Sequence, residues 1–346
     1  KTGETKIMER WVLLRKGADF EAISKKFHIS PRLASLIRNR DVIGDEAINQ
    51  YLNGTIAELY DGMQMKGMPQ AVEILTEKIR DREKIRVIGD YDCDGINATY
   101  ILLEGLEKLG AKVDSDIPDR IKDGYGLNQH LIDRAHEDGI DTIITCDNGI
   151  AAAKEIEYGK ALGMTIIVTD HHEVGEELPN ALAVVDAKRK DNEYPCRDLA
   201  GVGVVFKLIQ ALGMRLNIEE KEYLKFLDIV CVGTISDIVP LVDENRVITK
   251  LGLLLVKQTK NMGLKSLLIS SGYKNIDSNT ISFGVAPRIN ACGRMGHADE
   301  ALKLFLAKDV YEVNRLTQLL NDYNKIRQEK EKSIYEEAIK QIEEKQ

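Results

Sequence analysis

The chain has 346 residues, of which 43% are hydrophobic and 30% charged, and its formal net charge is −8. This length allows two domains and a substantial core, while the negative balance argues against indiscriminate binding to polyanions and still leaves room for a local basic groove. No stretch approaches about 20 consecutive apolar residues, so the sequence predicts no membrane-spanning helix.

Five cysteines are scattered along the chain without a CxxC pair. A dispersed, odd-numbered set is typical of reduced thiols in the cytoplasm rather than of a disulfide framework. Charged residues precede any apolar run at the N-terminus, so no signal peptide is expected. Because the chain starts at Lys1 and not at methionine, we expect it to be part of a longer protein.

Residues 1–82 are predicted to form a helical N-terminal segment. Apolar residues from Phe20 to Ile37 recur at helical spacing, with a break at which Ser30 is the expected N-cap and Pro31 the first helical residue. The break resembles helix-turn-helix punctuation. Short helical hairpins of this kind are commonly packing units, so DNA binding by this segment is the weaker interpretation.

From about Glu83 the pattern changes to alternating strands and helices, which is typical of an α/β fold with a doubly wound, mostly parallel sheet. The predicted strands are 85–90, 111–117, 141–147, 164–170 and 181–186, and the predicted helices are 95–109, 128–138, 151–162 and 201–212. We expect this domain to cover residues 83–270. Residues 309–345 are predicted to form one long helix whose loose apolar stripe favours a bridge between domains over a coiled coil.

Acidic residues stand at the ends of four hydrophobic segments. The first segment leads to Asp90, Asp92 and Asp94, the second to Asp147, the third to Asp170 with His171 and His172, and the fourth to Asp237. Three segments have the length of buried strands, and the fourth could be a strand or the end of a helix. Because ligand sites of parallel sheets lie beyond the carboxyl ends of the strands, these side chains should meet at one edge.

A cluster of carboxylates needs a positive partner, because close like charges repel and are costly to desolvate. Divalent cations with oxygen ligands are the usual answer, and added imidazole suits manganese, iron or zinc better than magnesium. Asp is also common where strands end. That alternative explains any one acid but explains the added His171 and His172 poorly, so the sequence predicts a metal centre with manganese preferred.

Two glycine-containing segments are candidates for binding phosphate. Gly201 and Gly203 open a predicted helix and could cradle a phosphate through backbone N–H groups, although glycines there are also ordinary close-packing devices. Arg288 and Arg294 lie in a predicted glycine-containing loop, and planar guanidinium groups match phosphate oxygens well. Simple solvation of surface arginines is the alternative.

Together these motifs resemble the DHH phosphoesterase superfamily, whose name-giving motif stands here as Asp170-His171-His172, and within it the RecJ-type exonucleases. The similar segments follow in order along the chain: residues 87–95, 117–120, 124–127, 147–150, 169–172, 199–204, 236–241 and 288–291. Many members of the superfamily have a histidine four residues before the first liganding aspartate. Ile88 stands there in this chain, as in RecJ-type members, which argues against an inorganic pyrophosphatase.

The resemblance implies a centre with two divalent ions, Mn²⁺ preferred and Mg²⁺ the alternative. The implied metal ligands are Asp92, Asp94, Asp147, His171 and Asp237. Asp90 and Asp170 would lie beside the ions as catalytic residues, and His172 would contact the scissile phosphate. Arg288 or Arg294 would bind phosphate of the substrate strand, with Arg120 a weaker candidate.

By the same resemblance, the expected activity is 5′-to-3′ exonuclease hydrolysis of single-stranded DNA to mononucleotides, in DNA repair and recombination. The expected partners are single-stranded DNA and a single-strand-binding protein or a helicase, with no membrane. RecJ-type proteins continue into a DHHA1 domain and often an OB-fold module. We expect neither here, so residues 271–346 would carry the arginine-bearing loop and a linker helix toward a missing second domain.

Two alternatives stay open at the level of the sequence. One is a DHH phosphodiesterase that acts on short oligonucleotides or cyclic dinucleotides. The other is a non-catalytic replication scaffold, which would be expected to have lost some of the motif acids.

Overall fold

The structure, a computed structural model, describes residues 12, 16–120 and 122–344. The chain divides into two units, one up to Thr55 and one from Ile56 onwards. The first part of the predicted N-terminal helical segment lies outside the described residues.

Three short helices form the described part of the first unit: α1 (Phe20–Phe27), α2 (Pro31–Asn39) and α3 (Asp45–Asn53). The predicted N-cap is confirmed, because the Ser30 side chain accepts a hydrogen bond from the Leu33 N–H and Pro31 is the first residue of α2. α1 and α2 pack against each other. DNA binding by this hairpin stays a prediction.

A wholly parallel five-stranded sheet organises the second unit. Its strands are β1 (Lys84–Ile88), β2 (Lys112–Asp116), β3 (Thr142–Cys146), β4 (Thr165–Asp170) and β5 (Ala183–Asp186), in the order β2-β1-β3-β4-β5. The predicted strands and the doubly wound arrangement are confirmed, since buried runs rich in Ile, Val and Thr suit strands covered on both faces. The order reverses between β1 and β3, and such a reversal opens a crevice at the carboxyl ends of the strands.

Helices cover both faces of this sheet. The helices of the second unit are α4 (Met68–Arg80), α5 (Cys93–Lys108), α6 (Gln129–Glu137), α7 (Ala153–Ala161), α8 (Gly201–Arg215), α9 (Lys221–Leu224), α10 (Leu227–Ser236), α11 (Asp243–Val256), α12 (Met262–Ser270), α13 (Ala286–Arg294), α14 (Ala298–Leu306) and α15 (Val310–Glu343). α4, α5 and α8 share a core with Val87 and Ile144, whereas α6 and α7 pack on the opposite face with Ile143 and Ile166. The later helices extend the first of these cores.

The prediction of a glycine-containing loop around Arg288 and Arg294 is wrong. A π-helix at Thr280–Val285 runs directly into α13. Pro287 lies in the first turn of α13, where a missing N–H costs nothing. Gly293 serves a close approach, because a Cβ there would lie 2.1 Å from the Tyr91 carbonyl oxygen. The glycine therefore marks a helix packed against the loop after β1.

Two further segments answer questions that the sequence left open. The segment before Asp237 is helix α10, which is buried on almost every side and so lacks a helical pattern of polar residues. The predicted long helix is confirmed as α15, with Asp309 as its N-cap. Its first half packs through Leu316 and Leu320, while residues from Lys325 onwards are largely exposed. Within the described ranges, no helix has the length and hydrophobicity needed to cross a bilayer.

Candidate metal centre

The loop after β1 carries three aspartates and turns directly into α5. Asp92 is the N-cap of α5 and accepts a hydrogen bond from the Gly95 N–H at 3.0 Å. The Asp94 carboxylate accepts hydrogen bonds from the N–H groups of Gly201, at 2.7 Å, and Val202, at 3.0 Å. These groups open α8, so the predicted phosphate cradle at this helix start instead binds a side chain of the protein itself.

Asp147 follows β3 in a sharp turn. Its φ is 61°, and Gly149 follows at φ 107°. Asn148 holds the turn, because its Nδ2 donates to the carbonyl oxygens of Ile88, at 3.1 Å, and Cys146, at 2.9 Å. Asn148 thus ties the end of β1 to the end of β3 and sets the spacing of their acids. Asn148 lies within the similar segment 147–150, to which the sequence analysis assigned no function beyond that of Asp147.

Asp170, the last residue of β4, holds His172 in place. Its Oδ1 lies 2.7 Å from the His172 Nδ1 and accepts the His171 N–H at 2.7 Å, while its Oδ2 accepts the Ile150 N–H at 2.9 Å. Because its oxygens are engaged by these donors, Asp170 contributes to the site by orienting the His172 ring. The His172 side chain is 45% exposed, and its Nε2 lies 3.4 Å from the Tyr125 hydroxyl.

His171 lies among the remaining acids. Its Nε2 is 2.9 Å from Asp147 Oδ1 and 3.8 Å from Asp94 Oδ2. Its Nδ1 is 3.7 Å from Asp237 Oδ2. Asp237 is the C-cap residue of α10, so a helix end and not a strand end delivers the fourth acid.

Three sets of side chains are close enough to share a cation, since the ligand atoms within each set lie within 4.8 Å of one another. The sets are Asp147 with His171 and His172, Asp94 with His171 and Asp237, and Asp90 with Asp92 and Asp147. Asp147 and His171 each belong to two sets. The three sets therefore overlap in one centre that contains all five predicted ligands.

Two glycines leave room for these carboxylates. A Cβ at Gly201 would lie 2.8 Å from Asp147 Oδ1, and a Cβ at Gly233 would lie 2.8 Å from Asp94 Oδ1. Any side chain at either position would collide with a carboxylate. α8 and α10 can approach the centre this closely only because they carry glycine at these points.

Burial and mutual repulsion perturb the acids strongly. They raise the pKa of Asp94 and Asp147 well above the usual range, that of Asp90 to about 7, and that of Asp237 to about 6. Burial lowers the pKa of His171 to about 4, so its imidazole is neutral at neutral pH. The hydrogen bond to Asp170 raises the pKa of His172.

This set of donors fits a divalent cation. Asp90 Oδ1 and Asp147 Oδ1 are buried and accept no hydrogen bond from the described residues. Asp147 Oδ1 and His171 Nε2 lie 2.9 Å apart without forming a hydrogen bond, and neighbouring ligands of an octahedral ion, at about 2.1 Å from it, are about 3 Å apart. Carboxylates with a neutral imidazole are ligands that divalent cations such as Mn²⁺ accept.

Two predicted phosphate-binding arginines lie near the centre. The Arg120 guanidinium lies over the ring of Tyr91, 5.2 Å from its centroid, and Tyr91 stands between Asp90 and Asp92. Arg294 is exposed at the end of α13, the helix whose Gly293 packs on the Tyr91 backbone.

Arg288 is placed differently. α13 contacts the loop after β1 through Asn290, whose Oδ1 accepts the Cys93 N–H at 2.8 Å. Arg288 precedes Asn290 by two residues and therefore points about 200° around the helix from it. Its guanidinium donates to Asn321 Oδ1 at 2.6 Å and to the Ser270 carbonyl at 3.3 Å. Arg288 thus joins α13 to α15 and α12.

The sequence analysis missed two groups at the end of β5. Asp186, the register partner of Asp170, is fully buried, and burial raises its pKa to about 7. Its Oδ1 accepts the Lys188 N–H at 2.7 Å, and Lys188 Nζ lies 3.3 Å from Glu173 Oε1. The rule that singled out acids at the other strand ends would have found Asp186, because the predicted fifth strand also ends at residue 186, but it would not have found Lys188.

Comparison with known proteins agrees with this geometry. Residues 84–234 match the family model described as the DHH family, N-terminal domain. The single-stranded-DNA-specific exonuclease RecJ of Bacillus subtilis is 41% identical over 337 residues, which are 96% of this chain and 42% of that protein. RecJ of Escherichia coli is 32% identical over 345 residues, 96% of this chain and 59% of that protein. The chain therefore spans about half the length of the curated relatives it matches.

Comparison with solved structures also finds RecJ proteins. A crystal structure of exonuclease RecJ bound to manganese has 36% sequence identity and a TM-score of 0.75, over 80% of this chain and 70% of that one. The RecJ–Mn²⁺ complex of Thermus thermophilus has 32% identity and a TM-score of 0.81, over 95% of this chain and 47% of that one.

Proposed function

Since the chain belongs to the DHH family and, within it, to the RecJ type, we propose that it is the catalytic part of a metal-dependent exonuclease. It hydrolyses single-stranded DNA from the 5′ end toward the 3′ end and releases mononucleotides, in DNA repair and recombination. The observation that carries this proposal is the overlap of three donor sets at Asp147 and His171. An intact set of acids supports an enzyme over a non-catalytic scaffold.

We assign two divalent ions to the centre, with Mn²⁺ preferred over Mg²⁺. Their ligands are Asp92, Asp94, Asp147, His171 and Asp237. The support for two ions is that one octahedral ion cannot engage three overlapping donor sets at once, and the support for Mn²⁺ is the neutral imidazole of His171. When bound, such ions supply an activated water and neutralise charge on the phosphate.

His172 contacts the scissile phosphate in this proposal. Its ring is fixed by Asp170, and the raised pKa keeps it protonated to higher pH than an ordinary histidine. A protonated imidazole can stabilise charge on the phosphate or donate a proton to the leaving oxygen. Asp90, whose buried Oδ1 accepts no hydrogen bond from the described residues, can accept the proton of the attacking water.

The substrate strand is bound mainly through its phosphates. Arg294 and Arg120 are placed near the loop after β1, where guanidinium groups can hold non-bridging oxygens. The internal hydrogen bonds of Arg288 support a structural function for that residue instead. Single-strand specificity then follows from a channel too narrow for a duplex.

The surroundings of the enzyme are proposed from the resemblance. We place it in the cytoplasm, with a single-strand-binding protein or a helicase as partner. The proposed domain organisation has three parts: a helical N-terminal segment at residues 1–82, the catalytic domain at 83–270, and residues 271–346, which carry the two arginines and the long linker helix toward a second domain. The exposed second half of α15 supports a linker, since it has few core contacts of its own.

The test is Asp147→Ala, assayed with Mn²⁺ on a 5′-labelled single strand. Charge stabilisation by the ions contributes several kcal/mol, and each 1.36 kcal/mol is tenfold in rate, so we expect a loss of about 10³-fold or more. Asp322→Ala, at an exposed acid on α15, is the control and should keep full activity. Undiminished hydrolysis by Asp147→Ala would contradict the assignment of the metal centre. A strong preference of the parent protein for a labelled dinucleotide over the longer strand would favour the oligonucleotide phosphodiesterase.

A further inference from the structure

Ile238 has a backbone conformation that isoleucine rarely adopts. It follows Asp237 directly after α10, at φ 61°, and its N–H bonds to the Ile235 carbonyl at 3.4 Å. The position just after a helix C-cap is often left-handed, but glycine or asparagine usually fills it. A β-branched residue there is strained, because its Cβ substituents crowd the backbone.

Burial does not compensate for this strain, since Ile238 is 88% exposed. The residues around it are anchored: Val239 packs against the core, and the Pro240 carbonyl accepts a hydrogen bond from Asn245 Nδ2 at 3.2 Å. On the other side, Asp237 lies 3.7 Å from His171. The segment is therefore held from both ends, and Ile238 stands out from it into solvent at the rim of the metal centre.

We propose that Ile238 packs against the nucleobase of the nucleotide whose phosphate is cleaved, and so orients that nucleotide for hydrolysis. This inference rests on the proposed exonuclease function. The carboxylates of the centre engage ions and phosphate but offer no apolar surface to a base. Every base has an apolar face, so an aliphatic side chain beside the centre can hold any of the four without reading sequence.

The strained backbone supports a function in binding rather than in folding. A backbone fixed before the substrate arrives loses little freedom when the substrate binds, which is an advantage that a flexible segment lacks. Strain of this kind is commonly found at ligand-binding positions, where the surrounding structure imposes it.

The experiment replaces Ile238 with asparagine, which tolerates left-handed backbone and lacks the apolar surface. Parent and Ile238→Asn are compared on a 5′-phosphorylated thymidine strand and on the same strand with tetrahydrofuran abasic nucleotides at its 5′ end. Ile269→Asn, at an isoleucine that is 73% exposed on α12, is the matched control. Mn²⁺ affinity and Tm are measured for every variant.

We expect Ile238→Asn to lower kcat/KM on the thymidine strand by about tenfold, mainly through KM. On the abasic strand, parent and variant should be equally slow. Mn²⁺ affinity should be unchanged and Tm equal or higher, and Ile238→Gly should behave in the same way. Ile269→Asn should match the parent on both strands.

Three results would overturn the inference: an equal loss on both strands, no loss on either, or a Tm lowered by several degrees, which would show that the side chain packs within the protein. A parent that cleaves neither strand would overturn the proposed function itself, and the inference with it.

Discussion

Asp90 and Asp170 are both buried carboxylates at the same sheet edge, yet their surroundings act on them in opposite directions. Burial and the charge of Asp92 raise the pKa of Asp90 to about 7. Burial would also raise the pKa of Asp170, but hydrogen bonds from His172 and from backbone N–H groups lower it below the ordinary value. Asp170 therefore holds a permanent charge that orients His172, whereas Asp90 is left to gain or lose a proton near neutral pH.

Asp90→Asn should stabilise the metal-free protein at neutral pH. Because the folded-state pKa is above the ordinary 3.8, the folded protein binds more protons than the unfolded one between pH 4 and about 7. The free energy of unfolding therefore falls as pH rises through that window. Replacing the Asp90 carboxylate by an uncharged amide should raise the free energy of unfolding by about 2 kcal/mol at pH 7.5 and change it little at pH 4.

Urea unfolding in EDTA at the two pH values measures this difference. A variant that is less stable than the parent at pH 7.5 would contradict the repulsion described for the acidic cluster.

Asp170→Asn should move the pH profile of kcat. The hydrogen bond to Asp170 is the main cause of the raised pKa of His172, so its loss lowers that pKa. If protonated His172 takes part in the reaction, activity declines as pH rises above its pKa, and in the variant the decline begins at lower pH. At pH 8 we expect a loss of about 10- to 100-fold.

The comparison is a kcat profile from pH 6 to 9 in saturating Mn²⁺. His172→Gln should lose the alkaline decline altogether, and adding Asp170→Asn to it should cost little more, because the two residues act as a unit. If the pH profile of kcat did not shift in Asp170→Asn, Asp170 would not set the pKa of His172 that governs the reaction.

At the scale of the elements, helix α13 places two arginines that look alike in sequence on different sides of the helix. Asn290 and Gly293 lie on the side of the helix that contacts the loop after β1. Arg294, four residues after Asn290, lies on that same side. Arg288 points away and joins its helix to Asn321 of α15.

Substitutions at these arginines should therefore have different effects. Arg294→Ala should raise KM for single-stranded DNA about tenfold and leave stability unchanged. The slope of log affinity against log salt concentration should fall by about one, as expected for the loss of one phosphate contact. Arg288→Ala should lower the free energy of unfolding by about 2 kcal/mol, since it leaves partly buried acceptors without their donor. Salt-dependent binding assays and urea unfolding distinguish the two variants. If Arg288→Ala weakened DNA binding and Arg294→Ala lowered stability, Arg288 would be the arginine that faces the DNA strand.

For the whole molecule, the metal centre is a link between distant parts of the chain. Its proposed ligands follow β1, β3 and β4 and end α10, and these side chains meet because the strand order reverses between β1 and β3. In the absence of a cation these elements hold together acids that repel one another. A bound ion should therefore stabilise the tertiary structure as a whole.

Mn²⁺ should raise Tm, and the increase should be larger at pH 7.5 than at pH 5.5. Asp237, a proposed ligand with a pKa of about 6 in the metal-free protein, must lose its proton to bind the ion, so acid competes with the ion. At 100 times the dissociation constant the gain is about 2.7 kcal/mol. Thermal unfolding with EDTA or excess Mn²⁺ measures it, and Asp147→Ala should show no comparable gain. An equal increase at both pH values would speak against proton-coupled binding.

Local patterns were sufficient for the strands, for the N-cap at Ser30 and for the long helix. They failed around Gly293, since a glycine chosen for close packing and a glycine chosen for a turn look the same in sequence. They also left α10 undecided, because a helix buried on every side loses the periodic polar face that identifies it.

The sequence by itself determined which chemical groups are present and that the ends of hydrophobic segments deliver them, because the period of buried runs and the residues that end them are local properties. Only the tertiary structure decided which acids face one another, that Asp94 is held by the start of α8, that Asp170 serves His172, and that Arg288 is an internal link. Those outcomes depend on the distances between segments far apart in the chain, and such distances are set by packing rather than by local sequence.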